Sequence, residues 1–277
     1  MTAEKREAVG CLKSGHEMSE RRACGSIELS RSVYRYEAKR PDDRMIEESL
    51  RRLAGLHPDL GFGKFYQMLR REGHAWNHKR VHRVYCSLKL NKRRKYKRRL
   101  PPRDPAPLSV PEAANQCWSA DFMSDALWDG RRFRTFNVVD DFNREALAIE
   151  VDLNLPSRRV VRVLDRIAET RGLPQKIRLD NGPEFTAVAI ADWAEQNDVE
   201  LEFIKPGRPM QNGFIERFNR TYRGAVLDMY IFETLNQVRE QTAEWLQMYN
   251  HHRPHDSLGG MPPSEYLSQS ITRNTPV

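Results

Sequence analysis

The apolar positions in the second half of the chain switch between strand-like and helix-like spacing. Short segments with apolar residues at alternating or adjacent positions predict five strands, at residues 117–127, 131–142, 145–151, 176–179 and 199–204. Helical periodicity runs from Ser157 to Gly172, and recurs at 185–197 and 211–229. Three strands followed by helix–strand alternation indicate an α/β fold, in which helices cover a mixed five-stranded sheet.

The first ninety residues carry helical signals and predict a small all-α region. Ser19 and Ser30 are candidate N-caps for two short helices, which outline a helix-turn-helix. A second pair of helices is predicted at 63–71 and 78–88, with a turn between them that ends at Asn77. The outward face of the last helix would carry three basic side chains: Lys79, Arg80 and Arg83. Both DNA-reading helices and plain three-helix bundles fit this pattern.

Charge is distributed unevenly along the chain. Residues 1–103 contain 27 Lys and Arg against 12 Asp and Glu, whereas residues 104–277 contain 19 against 26. The net charge of +8 therefore combines a strongly basic first part with an acidic second part. A basic surplus of this size favours phosphate contacts and nucleic acid as the partner, with a solubilising or membrane-surface face as the alternative.

The densest basic run marks a boundary. Residues 89–103 contain nine Lys and Arg in fifteen and pass into a proline-rich stretch, which predicts an extended linker that follows a DNA backbone. Its candidate DNA contacts are Lys92, Arg93, Arg94, Lys95, Lys97, Arg98 and Arg99. We therefore expect four segments: helix-turn-helix-like regions at 1–40 and 41–90, a linker at 91–113, and a catalytic core with a C-terminal tail at 114–270.

Several classes of protein and site are disfavoured by composition. No apolar run approaches the roughly 20 residues of a membrane span, so a cytoplasmic protein is expected. The four cysteines lack a C-x-x-C pair and are expected to be reduced. One series of possible zinc ligands recurs every four residues: His74, His78, His82 and Cys86. Because no second cluster of ligands completes a zinc site, we favour a structural interpretation of these residues.

Three carboxylates fall where the predicted sheet would bring them together. Asp121 lies within the first strand, Asp180 ends the fourth, and Glu216 lies on the last predicted helix, with 35 residues between Asp180 and Glu216. Phosphodiester transfer commonly uses two divalent cations held by carboxylates. Taken singly, each residue could equally be a turn former or a solvated side chain. Asp140 and Asp141 are rival ligands, which we interpret as sheet-end residues.

The motifs around these residues resemble a known family. WSADF, NVVDDF, LDNGPEF, QNGFIERFNRTYR and YNHHRPHDSLGG together resemble DDE transposases and retroviral-type integrases, and within them the second-reading-frame (OrfB) transposases of the IS3 family of insertion sequences. The resemblance covers nearly the whole chain. It implies a ribonuclease-H-like catalytic core, with Asp121, Asp180 and Glu216 as the catalytic, metal-binding triad.

The resemblance also implies cofactors and partners. Two Mg²⁺ ions, with Mn²⁺ as a substitute, would serve cleavage and strand transfer on double-stranded DNA, namely the element's terminal inverted repeats and the target. The family's basic residue falls on Arg223, and Arg220 would share the helical face of Glu216. Self-association on DNA, an upstream-frame (OrfA) partner or fusion, and a bacterial, nucleoid-associated location are expected, with no membrane partner.

Two departures from the family pattern concern DNA recognition. Glu28 stands where the first helix-turn-helix usually has glycine, and Gly63-Lys64 stands where the family usually has a pair of arginines after a glycine and an aromatic residue. Residues 206–209 have the composition of an active-site loop or of a plain connection. The histidines of the tail, at 251, 252 and 255, could suggest a metal site, but we favour a helix stop at Arg253-Pro254 with the tail packed on the core. The alternatives to a transposase are a non-catalytic DNA-binding repressor or inactive remnant, and a ribonuclease that acts on hybrids.

Overall fold

The computed structural model describes residues 2–37, 42–92, 110–182, 184–185, 187–205 and 212–274. The chain divides into two compact units, Met1–Met45 and Ile46–Val277. Among the described helices, none combines the length and the hydrophobicity that crossing a bilayer would require.

The first unit consists of three short helices. They are α1 (Thr2–Gly15), α2 (Glu20–Ser26) and α3 (Arg31–Arg35). Val9, Ala23 and Cys24 form their small core. Ser30 caps α3 as predicted, because its side chain accepts a hydrogen bond from the Val33 N–H. The helix α1 was not predicted, since Val9 is its one buried residue and its apolar positions show little periodicity.

The turn between α2 and α3 holds a non-glycine residue in the left-handed region. Glu28 has φ +51°, and the following Leu29 N–H closes the turn on the Cys24 carbonyl at 2.9 Å. The left-handed conformation expected at this position is thus present, and a residue with a Cβ carries its steric cost.

Replacing Glu28 with glycine should therefore stabilise the first unit. We expect Glu28→Gly to increase its local stability by about 1 kcal/mol, because glycine adopts positive φ without the Cβ clash. Hydrogen exchange of the Leu29 amide measures this directly. Glu28→Ala, which keeps a Cβ at the same positive φ, is the control and should leave Leu29 exchange close to the wild-type rate. Faster Leu29 exchange in Glu28→Gly would contradict the prediction.

The second unit begins with a three-helix region. Its helices are α4 (Arg44–Leu56), α5 (Phe62–Arg71) and α6 (His78–Ser87). The core is formed by Ile46, Leu50, Phe65, Val81 and Tyr85, among others. The predicted pair α5 and α6 is present, and the Asn77 side chain caps α6 by accepting the Lys79 N–H at 2.9 Å. The helix α4 was not predicted, although its apolar positions have clear helical spacing.

A five-stranded mixed sheet lies at the centre of this unit. The strands are β1 (Cys117–Ala126), β2 (Arg132–Asp140), β3 (Ala146–Asp152), β4 (Lys176–Leu179) and β5 (Glu200–Phe203). Their spatial order is β3-β2-β1-β4-β5, with β1 to β3 antiparallel and β4 and β5 parallel to β1. The predicted α/β fold with a mixed five-stranded sheet is confirmed.

Helices cover both faces of the sheet. They are α7 (Ser157–Arg171), α8 (Val188–Gln196), α9 (Gly213–Tyr222), α10 (Leu235–His251) and α11 (Pro263–Asn274). One core layer joins α7 and α8 to the sheet around Trp118 and Phe136. The other joins α9 and α10 to Phe133 and Val139. Because alternate strand residues enter opposite layers, both faces of the sheet are buried.

The end of the chain differs from the sequence prediction. The helix predicted at 211–229 ends as an α-helix at Tyr222 and continues as a π-helical turn, Arg223–Leu227. A helix stop was predicted at Arg253-Pro254, just after the end of α10, but the extent of α10 and the helix α11 were not predicted. The tail after α10 contacts the α4–α5 region, because Arg253 pairs with Asp59 at 2.7 Å and Lys64 pairs with Asp256 at 2.7 Å. The three-helix region and the sheet are therefore joined by the tail.

Candidate active site

Strand pairing brings the first two predicted carboxylates together. The parallel register of β1 and β4 pairs Trp118 with Ile177 and Ser119 with Arg178. Continued by two residues, the same register places Asp121 beside Asp180, which directly follows β4. Asp180 is also held by its own turn, since its carboxylate accepts the Gly182 N–H at 3.0 Å. Two carboxylates thus lie at the same level of neighbouring strands.

A buried amide places the third carboxylate over this position. The Asn219 side chain donates to the Asp121 carboxylate at 2.8 Å and accepts from the Asn137 amide on β2 at 2.7 Å. These bonds fix α9 against β1 and β2. Glu216 lies on α9 nearly one turn before Asn219, and is therefore directed towards the same region of the sheet.

The electrostatics of Asp121 reflect this convergence. Burial raises the pKa of its carboxyl to about 6, and the charges of Asp180 and Glu216 act in the same direction. Hydrogen bonds from the Phe122 backbone N–H and the Asn219 amide favour the ionised form and oppose the rise. A divalent cation among the three carboxylates would stabilise the fully ionised set, because it would replace mutual repulsion with attraction.

The chemistry of these donors fits a hard cation. Carboxylate oxygens are the ligands that Mg²⁺ prefers, and Asp121, Asp180 and Glu216 offer three such groups. In the arrangement seen, no three His, Cys, Asp or Glu side chains of the described residues are close enough to hold one ion. Glu216 is exposed, so its side chain can change rotamer without disturbing the core.

The two arginines that follow on this helix differ in their contacts. Arg220 is exposed on α9. Arg223, at the start of the π-helical turn, donates to the Asp125 carboxylate at 3.1 Å and to the Ser124 carbonyl at 2.9 Å. Arg223 is therefore tied to β1, and it would have to exchange Asp125 for a phosphate in order to contact DNA.

The rival carboxylates lie at the other end of the paired strands. Asp140 on β2 is opposite Trp118, which lies three residues before Asp121 on β1. The Asp140 carboxylate accepts the backbone N–H groups of Asn115 and Phe142, each at 2.8 Å. Asp141 forms a buried ion pair with Arg178 at 2.9 Å. These contacts support the interpretation of both residues as structural.

The predicted DNA-contacting residues lie mostly outside the triad region. On α6, Lys79 and Arg83 are exposed and Arg80 is half-buried, whereas Val81, Val84 and Tyr85 face the core as predicted. Lys92 is exposed at the end of the described segment. The remaining linker contacts, Arg93, Arg94, Lys95, Lys97, Arg98 and Arg99, lie outside the described residues, as does the loop at 206–209.

The histidine series makes aromatic contacts. His74 precedes α6 and stacks on Trp76 with ring centroids 4.0 Å apart. His78 and His82 both pack edge-on against Phe62. These contacts place the three rings in the packing around α5 and α6.

Sequence reasoning missed the amide network. Asn137 and Asn219 are 82 positions apart, and both are buried polar residues. A signal was present for one of them, since Asn219 follows Glu216 at helical spacing. The Asp125–Arg223 pair, 98 positions apart, had no comparable signal.

Three family models and a solved structure are similar to parts of the chain. An HTH-like domain family matches residues 41–98, and two integrase core domain families match residues 111–209 and 197–263. The HTLV-2 integrase catalytic core domain, solved in complex with magnesium, aligns at a TM-score of 0.47 and 16% identity, covering 56% of this chain and 97% of that one.

Relatives from insertion elements match almost end to end. The 31.7 kDa protein of insertion element IS407 of Burkholderia multivorans is 42% identical over 263 residues, which is 94% of this chain and 95% of that protein. The 39.2 kDa protein of insertion element IS476 of Xanthomonas euvesicatoria is 39% identical, over 97% of this chain and 78% of that protein. With the integrase-core and HTH-like matches, this similarity shows that the chain belongs to the IS3 family of insertion-sequence transposases, as a second-reading-frame (OrfB) product.

Proposed function

We propose that the chain cleaves DNA at the ends of its insertion element and joins the ends to target DNA, with Asp121, Asp180 and Glu216 as the catalytic residues. The observation that carries this proposal is the Asn219–Asp121 hydrogen bond at 2.8 Å, which ties the helix of Glu216 to the strand of Asp121. The β1–β4 register adds Asp180 beside Asp121. Three carboxylates from rigid elements then converge on one region.

The three carboxylates would hold two Mg²⁺ ions, for which Mn²⁺ would substitute. When bound, the ions would activate the attacking oxygen and stabilise the leaving oxygen of a phosphodiester. Asn219 keeps Asp121 oriented, and the Gly182 N–H keeps Asp180 oriented. Arg220 and Arg223 would hold the phosphate groups on either side of the reacting one.

The reaction would proceed in two similar displacements. In the first, water attacks the phosphorus at the element's end, a new P–O bond forms, and the bond to the 3′-oxygen breaks to leave a free 3′-hydroxyl. In the second, that hydroxyl attacks a target phosphodiester and displaces the target's own 3′-oxygen. The chain's side chains need only position the DNA and the ions, because no covalent enzyme intermediate is involved.

The proposed division of labour follows the four segments. The regions at 1–40 and 41–90 would grip the terminal repeats, with Lys79, Arg80 and Arg83 on α6 directed at DNA. The linker at 91–113 would track the backbone through its basic run, and 114–270 would carry catalysis. The HTH-like match over 41–98 and the integrase-core matches support this division. Self-association on DNA and an upstream-frame partner belong to the same proposal.

Conservative substitutions of the triad test the proposal. We expect Asp121→Asn, Asp180→Asn and Glu216→Gln each to reduce Mg²⁺-dependent nicking by about 1,000-fold, since metal ions contribute several kcal/mol of charge stabilisation. The assay uses supercoiled plasmid carrying the DNA ends that flank the gene.

The matched control removes a carboxylate elsewhere. Asp192 is exposed on α8, on the other face of the sheet, and Asp192→Asn should nick at the wild-type rate. DNA binding in EDTA should be unchanged in all four variants. Full activity in any one triad variant would remove that residue from the assignment, and a wild-type chain that binds but never nicks would favour a repressor or inactive remnant.

A further inference from the structure

A basic cavity lies between the three-helix region and the catalytic sheet. Its volume is about 180 Å³, and its walls come from α5, the β2–β3 turn, the first turns of α9 and the tail after α10. Four cationic side chains line it: Lys64, Arg144, Arg217 and Arg253. The residues proposed for catalysis are not among its lining, so this cavity is separate from the triad.

Within the described parts of the chain, two of the four cations are in no ion pair. Lys64 is paired with Asp256, and Arg253 with Asp59. Arg144 and Arg217 form no ion pair with a described Asp or Glu, although the charges of Asp141 and Asp140 act on Arg144. Four cations thus line the cavity against one carboxylate, Asp256, so a bound anion would be attracted by a net positive lining.

Arg144 is held in position before any ligand arrives. Its guanidinium carbon lies 3.6 Å from the centre of the Phe214 ring, and the guanidinium also donates to the Asp141 carbonyl. The backbone of Arg144 has φ +61°, a conformation that costs a non-glycine residue about 1 kcal/mol or more. A planar, immobilised guanidinium suits recognition of phosphate oxygens.

A buried neutral group completes the lining. The Nε2 atom of His255 is buried and has no hydrogen-bond partner among the described residues. Burial lowers the pKa of His255 to about 3, and the charges of Arg253 and Lys64 lower it further than the Asp256 carboxylate raises it. The ring therefore stays neutral, packed edge-on against Tyr249 with centroids 4.8 Å apart, and adds no charge to the cavity.

We propose that this cavity binds one phosphate of the DNA backbone. The proposal rests on the proposed function, which supplies DNA as the ligand. The cavity is smaller than the roughly 300 Å³ of a typical small-molecule site, so a single phosphate suits it better than a whole nucleotide. Its walls join α5 of the HTH-like region to α9, the helix of Glu216. A phosphate held there would fix the DNA between the reading helices and the triad.

Salt dependence of DNA binding tests the proposal. A short labelled duplex of arbitrary sequence is titrated in EDTA over a series of salt concentrations, so that neither cleavage nor knowledge of the terminal repeats is needed. We expect Arg217→Gln to reduce the magnitude of the log Kd against log salt slope by about 1, the value for one phosphate contact. Arg217→Lys should retain most of the slope.

The control is a matched arginine outside the cavity. Arg162 is exposed on α7, whose helix packs on the other face of the sheet, and Arg162→Gln should leave the slope at the wild-type value. Equal slopes for Arg217→Gln and wild type, with both folded by circular dichroism, would overturn the proposal. An equal fall in Arg162→Gln would overturn it as well, because the effect would then be non-local.

Inorganic phosphate separates the two sources of the ligand. If it raises the thermal midpoint of wild type but not of Arg217→Gln while the DNA slopes are identical, the cavity is a free-anion site and the DNA proposal fails. Competition between inorganic phosphate and the duplex in wild type alone would support it. Because these measurements need no metal, their outcome can be interpreted even if the nicking experiment fails.

Discussion

Replacing Asn219 with leucine is expected to reduce Mg²⁺-dependent DNA nicking by about 10- to 100-fold, the range for loss of a residue that orients a metal ligand. The Asn219 amide donates to Asp121 and accepts from Asn137, and it is nearly fully buried. Leucine has a similar volume but removes both bonds. Asp121 would then lose its orienting partner, and α9 would lose its polar connection to the sheet.

A second substitution separates orientation from charge. Asn219→Asp keeps an acceptor for Asn137 but places a carboxylate 2.8 Å from that of Asp121, where the amide donor had been. We expect lower activity than in Asn219→Leu at neutral pH, because two like charges in a buried site oppose ionisation of the set. Plasmid nicking rates and the denaturant midpoint are measured together.

The control for this series is an exposed asparagine. Asn236 lies on the surface of α10, and Asn236→Leu should nick at the wild-type rate. Wild-type nicking by Asn219→Leu would show that Asp121 needs no orienting amide. A loss of nicking that merely follows a loss of folded protein would assign Asn219 to stability alone.

The second large effect concerns the buried ion pair between Arg178 and Asp141. Arg178→Met should lower the free energy of unfolding of the second unit by about 3 to 5 kcal/mol, as expected when one partner of a buried pair is removed. The side chains of Arg178 and Asp141 are 7% and 0% exposed, and their atoms are 2.9 Å apart. Methionine would leave the Asp141 carboxylate charged and without its cation in the core.

A double variant distinguishes a lost pair from lost packing. Arg178→Met combined with Asp141→Leu should be destabilised by less than the sum of the two single variants, because neither charge is then left buried alone. Guanidinium denaturation gives the four free energies. Additive effects would show that the two residues are not coupled, and a single-variant loss below about 1 kcal/mol would match an exposed pair instead.

Much of the sheet could be predicted because its strands carry strong local signals. β4, with the sequence Lys-Ile-Arg-Leu, carries apolar residues at alternating positions, Ile177 and Leu179, and its bounds at 176–179 were predicted correctly. The helix α10 gave a weaker signal, because its buried residues Val238, Trp245 and Tyr249 are separated by many polar residues. The helix α1 buries one residue and could not be recognised by periodicity at all.

The carboxylates of the candidate site could be proposed from the sequence, but the contacts that orient them could not. Asp121 within a strand, Asp180 after a strand and Glu216 on a helix were proposed as a set, from their residue type, their spacing and the motifs that resemble the family. What orients them depends on pairings between distant segments, such as Asn137 with Asn219. Lys64 was noted as a departure from the family pattern, yet its contact with Asp256, 192 positions away, emerges only once the tail has folded against α5.

The order in which the chain is made has a consequence for the proposed triad. The helix of Glu216, α9, packs on α10 through Phe218, Trp245 and Tyr249, and Asp180 follows β4, which pairs with β1. Asn250, at the end of α10, closes this assembly by bonding to both backbone groups of Ala146 on β3. A chain truncated before α10 would lack these contacts, so we expect the proposed site to assemble only once α10 has been synthesised.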